Sequence, residues 1–164
     1  MPTRDRDEAG RARNARPRDA AGRPLPRGAA GVERVPEDLV LTADQAVTEA
    51  QRLLDDGLPF PAHDVLEAAW KAAPPEEKQL WRALAQVAVG LTHVQRGNAR
   101  GAVALLDRSA DGIRRWVGVP PAGLDLVGLA GWADALAQRI GRDGVGVVAP
   151  PDLRPRLRLE EDRR

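Results

Sequence analysis

The sequence contains no cysteine among its 164 residues, and it is also poor in serine and lysine. Without cysteine the chain forms no disulfide and no thiolate metal site, which fits a reducing cytoplasm. The single serine, Ser109, falls on the predicted packed face of a helix. A serine hydrolase is therefore not expected.

The sequence also lacks long apolar runs and a strong net charge. No stretch of about 18 apolar residues occurs, so no transmembrane helix is expected, and residues 1–26 have no apolar segment of the kind that a secretory signal needs. The 25 basic and 24 acidic residues give a net charge of +1, which provides no overall attraction to nucleic acid or to a membrane. We therefore expect a soluble, cytoplasmic protein with no specific nucleic-acid partner and no membrane partner.

Composition divides the chain into three parts. Residues 1–38 are rich in arginine, aspartate and proline and poor in apolar side chains, so they are predicted to form a disordered tail. Residues 39–141 show helical periodicity and are predicted to form a helical bundle domain. Residues 142–164 are rich in glycine, valine and proline and then become charged, which predicts an extended arm or a flexible tail.

Five helices are predicted in the bundle domain, so the expected fold class is all-α. Each has apolar side chains at spacings of three and four residues, with a capping residue, a proline or a glycine at its ends. The predicted ranges are 43–55, 61–73, 76–96, 100–117 and 125–140. Only a few residues around Gly97 and Asn98 join the third helix to the fourth, and this short connection predicts a central antiparallel hairpin.

The candidate functional residues lie on the second and third helices. His63 and Glu67 are four residues apart, so their side chains lie one helical turn from each other. A helical wheel places both at the edge of an apolar face, beside Trp70, and places Asp64 on the outer face. The third helix carries a polar stripe along one side, formed by Gln79, Arg82, Gln86 and His93.

If the edges of the second and third helices meet, His63, Glu67, Gln86 and His93 form one polar cluster beside Trp70 and Arg82. The cluster has two interpretations. The leading one is a buried, hydrogen-bonded network that fixes helix register and needs no cofactor. The alternative is a site in which His63, Glu67 and His93 bind a divalent metal such as zinc or iron or act as a base and its orienting partners. Metal sites in helical bundles usually draw more carboxylates from several helices, which favours the network.

Three stretches of the sequence resemble the patterns of a known family. Phe60–Lys71 reads FPAHDVLEAAWK, Gln86–His93 reads QVAVGLTH and Arg96–Ala102 reads RGNARGA. They resemble F-x-x-H-E-x-L-E-x-x-W, Q-x-A-x-x-x-x-H and G-N-x-x-G-A of the domain-of-unknown-function family 309, with Asp64 at a position where that family usually has glutamate. The resemblance covers about residues 45–116 and implies a compact helical bundle, with no activity to transfer.

Two classes of function follow from these patterns. The favoured one is a non-enzymatic interaction or scaffold module, whose partner is another protein or a second copy of the chain. The other is a metal-dependent or acid–base enzyme that uses His63, Glu67 and His93. The relative placement of these three side chains in the fold distinguishes the two hypotheses.

Overall fold

The computed structural model describes residues 18–26, 31, 35–36, 38 and 40–159. The described part of the chain is an all-α bundle, which confirms the predicted fold class. Its helices are α1 (Ala43–Asp55), α2 (Pro59–Ala72), α3 (Lys78–Gln95), α4 (Ala99–Arg114) and α5 (Leu126–Asp143). None of the helices described is both long and apolar enough to cross a membrane.

The helix ends follow the local sequence, with some shifts from the predicted ranges. α1 has the predicted bounds, and Thr42 and Gln45 form its capping box. α2 begins at Pro59, two residues earlier than predicted. A proline is tolerated in the first turn because the N–H groups there have no intrahelical partner. α3 begins later, since the residues before it form a separate 3-10 turn, Pro75–Glu77. α4 ends three residues early at Arg114, and α5 continues to Asp143.

The helices α3 and α4 form the predicted antiparallel hairpin. A Cβ atom added to Gly112 would lie 2.9 Å from the Cβ atom of Ala83, and one added to Gly90 would lie 3.0 Å from Cγ of Leu106. These glycines therefore allow the two helices to approach closely at two places along the hairpin. α2 packs against α1 and α3, and α5 packs against α4, so α3 occupies the centre of the bundle.

A single apolar core lies between the five helices. Its largest fully buried side chains include Trp81, Leu54, Leu66, Leu80, Leu84, Leu91, Leu106, Ile113, Leu129 and Ile140. The indole N–H of Trp81 donates to Oε2 of Glu77 at 2.9 Å, which satisfies its one polar atom. The other three tryptophans, Trp70, Trp116 and Trp132, are half-buried and pack against the edge of the core.

The described residues after α5 form an arm that docks on α1. Pro155 and Leu157 are buried while Arg154 and Arg156 are exposed, as in a strand with one packed face. The backbone N–H of Leu157 donates to Oε1 of Gln51 at 2.8 Å, and the Gln51 amide donates to the Pro155 carbonyl at 2.9 Å. Residues 154–159 are therefore extended and docked on α1, whereas α5 continues to Asp143 and is followed by two 3-10 turns, Val145–Val147 and Pro150–Leu153. Residues 160–164 lie outside the described residues.

Residues 18–26, inside the predicted disordered tail, form a turn that packs on the bundle. We call this segment the N-terminal turn. Gly22 is buried against the ring of Phe60 on α2, and Nε of Arg96 donates to the carbonyl of Ala21 at 2.7 Å. Most of the remaining predicted tail lies outside the described residues, so disorder there stays a prediction.

Candidate functional site

Three titratable side chains meet on one turn of α2. Nδ1 of His63 lies 3.5 Å from Oδ1 of Asp64, and Nε2 of His63 lies 3.8 Å from Oε2 of Glu67. One nitrogen of the histidine and one oxygen of each carboxylate lie within 4.8 Å of one another. An imidazole between two carboxylates can accept and donate protons, and the same three groups are ligands that zinc accepts.

The prediction that Asp64 lies on the outer face of its helix is wrong. Its side chain is only 18% exposed, less than that of His63 at 24% or Glu67 at 36%. The helical wheel assumed one buried face, but α2 packs between α1 and α3, and among its residues only Lys71 and Ala72 are exposed. The aspartate is therefore a member of the cluster.

One polar atom of this cluster has no hydrogen-bond partner. Nδ1 of His63 is buried, and no described residue forms a hydrogen bond with it. The Asp64 carboxylate is its near neighbour without the geometry of a hydrogen bond. The ring of Phe60, with its centroid 6.0 Å from that of His63, presents an apolar neighbour that offers no polar group. Trp70, predicted beside this cluster, is half-buried against the core.

His93 lies in a different environment, at the turn between α3 and α4. Nδ2 of Asn98 lies 3.0 Å from Nδ1 of His93, and a Cβ atom added to Gly101 would lie 3.0 Å from the same nitrogen. Burial lowers the pKa of His93, and the nearby positive charge of Arg96 lowers it further. Among the described residues, the group of possible metal ligands around His63 does not include His93.

Gln86 and Arg82, the other two residues of the predicted cluster, face α4. They line an open groove between α3 and α4 with a volume of about 200 Å³. Its floor is formed by the small residues Ala83 and Gly112. Its walls are formed by Gln79, Arg82, Gln86, Arg108, Asp111 and Arg115. We call this feature the α3–α4 groove.

The predicted polar residues therefore occupy three places instead of one. His63 and Glu67 lie on α2, His93 lies at the hairpin turn, and Arg82 and Gln86 lie in the α3–α4 groove. The physical reason is the rotation of α3: its polar stripe faces α4, whereas its packing against α2 uses other residues.

The α3–α4 groove is electropositive. Three guanidinium groups, those of Arg82, Arg108 and Arg115, line it with one carboxylate, that of Asp111. Within the described part of the chain these three side chains form no hydrogen bond or ion pair. Arg114 differs, because it bonds to Asp134 on α5, and this hydrogen bond raises its pKa.

Sequence reasoning missed the α4 wall of this groove. Arg108, Asp111 and Arg115 are spaced by three and four residues, the spacing of one helix face. That spacing was available in the sequence, but it does not reveal that this face meets the polar stripe of α3. The hairpin register supplies that information.

Fold and site together define a small helical bundle with a polar groove along its central hairpin. Residues 47–105 match a family model described as Domain of unknown function (DUF309). The match covers 59 of the 164 residues and supports the resemblance to that family over this part of the chain. No curated protein and no solved structure matches the chain.

The matched region includes the α2 cluster but only part of the groove. His63, Asp64 and Glu67 lie inside residues 47–105, whereas Arg108 and Arg115 lie beyond them.

Proposed function

We propose that this protein is a non-enzymatic interaction module that binds an acidic segment of a partner protein in the α3–α4 groove. The observation that supports this most directly is the presence of three guanidinium groups without partners among the described residues, facing one groove. This proposal refines the interaction or scaffold role that the sequence favours. A cytoplasmic location and the absence of a nucleic-acid partner stay predictions.

The chemistry of the walls suits a peptide with carboxylate side chains. A guanidinium binds a carboxylate through two parallel N–H···O bonds, which gives both energy and orientation. The side-chain amides of Gln79 and Gln86 each offer a donor and an acceptor, as a peptide backbone does. Asp111 disfavours a uniformly anionic ligand and favours acidic residues separated by neutral ones.

The shape of the groove supports a segment of chain as the ligand. Pockets for drug-sized molecules are concave and usually enclose about 300–1,000 Å³, whereas this groove is open and measures about 200 Å³. The small floor residues, Ala83 and Gly112, leave room between the long polar side chains of the walls. A few side chains of an extended or helical peptide fit this space.

The experiment is a binding titration with a fluorescein-labelled synthetic peptide of alternating glutamate and alanine, followed by fluorescence anisotropy at low salt. The double variant Arg82→Gln/Arg108→Gln removes two groove charges. We expect binding to weaken at least about tenfold, because hydrogen bonds to charged groups contribute about 1.5–3 kcal/mol each. Binding of the unchanged protein should also weaken as salt is added.

The matched control is Arg100→Gln/Arg154→Gln, which removes the same charge from exposed positions outside the groove. It should leave the affinity within about twofold. Equal losses in the two double variants would show non-specific charge attraction and contradict the proposal, as would a wild-type protein that fails to bind the peptide. Light scattering distinguishes self-association through the groove, which would point to a second copy of the chain instead.

A further inference from the structure

We propose that His63, Asp64 and Glu67 form a binding site for a divalent transition metal of the zinc class. The site lies on α2, so it is separate from the α3–α4 groove and independent of the function proposed there. It takes two residues, His63 and Glu67, from the set that the sequence indicated. Asp64 replaces His93 as the third.

The spacing of the three side chains suits a single ion. Ligands about 2.1 Å from a tetrahedral zinc ion lie about 3.4 Å from one another. Nδ1 of His63 lies 3.5 Å from Oδ1 of Asp64, and Nε2 of His63 lies 3.8 Å from Oε2 of Glu67, so each carboxylate lies near this spacing from one of the two ring nitrogens. An ion binds one of the two ring nitrogens, so the carboxylate beside the other nitrogen must rotate toward it. One ligand atom from each of the three residues already lies within 4.8 Å of the others.

The orphaned nitrogen of His63 is a second observation that points to a ligand. Nδ1 is buried without a hydrogen-bond partner among the described residues, and such an atom costs free energy until a partner satisfies it. An ion bound at Nδ1 satisfies this atom directly. The nitrogen that does not bind the ion can donate to a carboxylate, the arrangement that commonly orients a ligating histidine.

The neighbours of the site set its charge and access. Nζ of Lys71 lies 3.5 Å from Oε1 of Glu67, so the other oxygen, Oε2, stays directed toward His63. The positive charge of Lys71 competes electrostatically with a cation at the site. The ring of Phe60 closes one side. Three protein ligands leave at least one position for water in a tetrahedral site, which is the pattern of an open zinc site.

The test is a zinc titration of the full-length, untagged protein by isothermal calorimetry, with the metal content after dialysis measured by elemental analysis. We expect one zinc ion per chain. His63→Ala and the isosteric Glu67→Gln should each weaken binding at least about tenfold, as loss of a ligand or of its support does. Lys71→Met should tighten binding, because it removes the competing cation.

The chain has one other histidine, which supplies the matched control. His93→Ala should leave zinc affinity and stoichiometry unchanged. Glu67→Gln keeps the test informative if His63→Ala fails to fold, which circular dichroism detects. Failure of the wild-type protein to bind zinc would overturn the proposal, and so would equal affinity in the wild-type, His63→Ala and Glu67→Gln proteins. Neither result bears on peptide binding in the groove.

Discussion

The side chain of Asn98 joins His93 at the end of α3 to the first turn of α4. Its Oδ1 accepts from the backbone N–H of Gly101 at 3.0 Å, which orients its Nδ2 toward Nδ1 of His93, also at 3.0 Å. An amide nitrogen only donates, so Nδ1 of His93 must accept and be unprotonated. The helix cap of α4 therefore favours the neutral imidazole.

This relationship predicts that His93 makes the folded state sensitive to acid. Burial and Arg96 lower the pKa of His93 in the folded protein, relative to about 6.5 in the unfolded chain. Its contribution to stability is present above that value and is lost as pH falls through the lowered folded-state pKa. His93→Gln should remove this part of the pH dependence.

Urea unfolding of wild-type protein and His93→Gln across the range from about pH 7.5 to about pH 5 checks this prediction. The difference in unfolding free energy between the two proteins should shrink or reverse as the pH falls. A difference that stays constant with pH would show that His93 does not titrate differently in the two states.

Gly22→Ala is predicted to release the N-terminal turn from the bundle. Gly22 has φ +76°, and an added Cβ atom would overlap the ring of Phe60. The backbone N–H of Gly22 donates to the carbonyl of Asp19 at 2.9 Å, so this amide reports whether the turn is formed. We expect its hydrogen exchange to accelerate in the variant.

Gly57→Ala is the matched control for this substitution. Gly57 has nearly the same backbone angle, φ +73°, but no atom lies within 4 Å of an added Cβ. Gly57→Ala should lower the free energy of unfolding by about 1–2 kcal/mol. Hydrogen exchange in the N-terminal turn should then change no more than this loss of global stability explains. Similar exchange of the amide at position 22 in both variants would contradict the importance of the Phe60 contact.

Leu157→Ala is predicted to destabilise the whole bundle, although it lies in the C-terminal arm. Its side chain is 1% exposed and belongs to the core, and truncation of a buried leucine costs about 2–5 kcal/mol. Leu159→Ala, two residues further along the same arm and 71% exposed, should change stability by no more than about 0.5 kcal/mol. Chemical denaturation of both variants measures the contrast. Equal effects would mean that the arm does not dock with this register.

Substitution of two helical glycines by alanine is predicted to have opposite effects. Gly112→Ala brings a Cβ atom to 2.9 Å from that of Ala83, and overpacking of this kind costs about 1–3 kcal/mol. Gly131→Ala, on α5, meets nothing within 4 Å, so the higher helix propensity of alanine should stabilise the protein by about 1 kcal/mol. Thermal unfolding checks both signs. Stabilisation by Gly112→Ala would show that the two helices separate at little cost.

Local rules predicted most of the fold. Thr42 with Gln45 placed the start of α1, and Gly97 with Asn98 placed the turn of the hairpin, because caps act within one helical turn of the residues that form them. The end of α5 was harder to predict from sequence: Gly141 remains helical, and Gly144 is the residue at which the helix ends.

The candidate site was less predictable, because the sequence does not show which helix faces pack against each other. The i, i+4 pair of His63 and Glu67 follows from helix geometry alone, and the structure retains it. The inclusion of Asp64 depends on the coverage of α2 by both α1 and α3. The separation of His93 from His63 depends on the rotation of α3 in the bundle.

The sequence by itself therefore determined the helices, their caps, the antiparallel hairpin and the pairing of His63 with Glu67, because these depend on residues within a few positions of one another. Only the tertiary structure decided that the polar stripe of α3 faces α4, that Arg108 and Arg115 join it, and that Leu157 enters the core. Those outcomes depend on how the helices rotate and pack as a set. Residues far apart in the chain determine this jointly, since all of the apolar faces must be buried together.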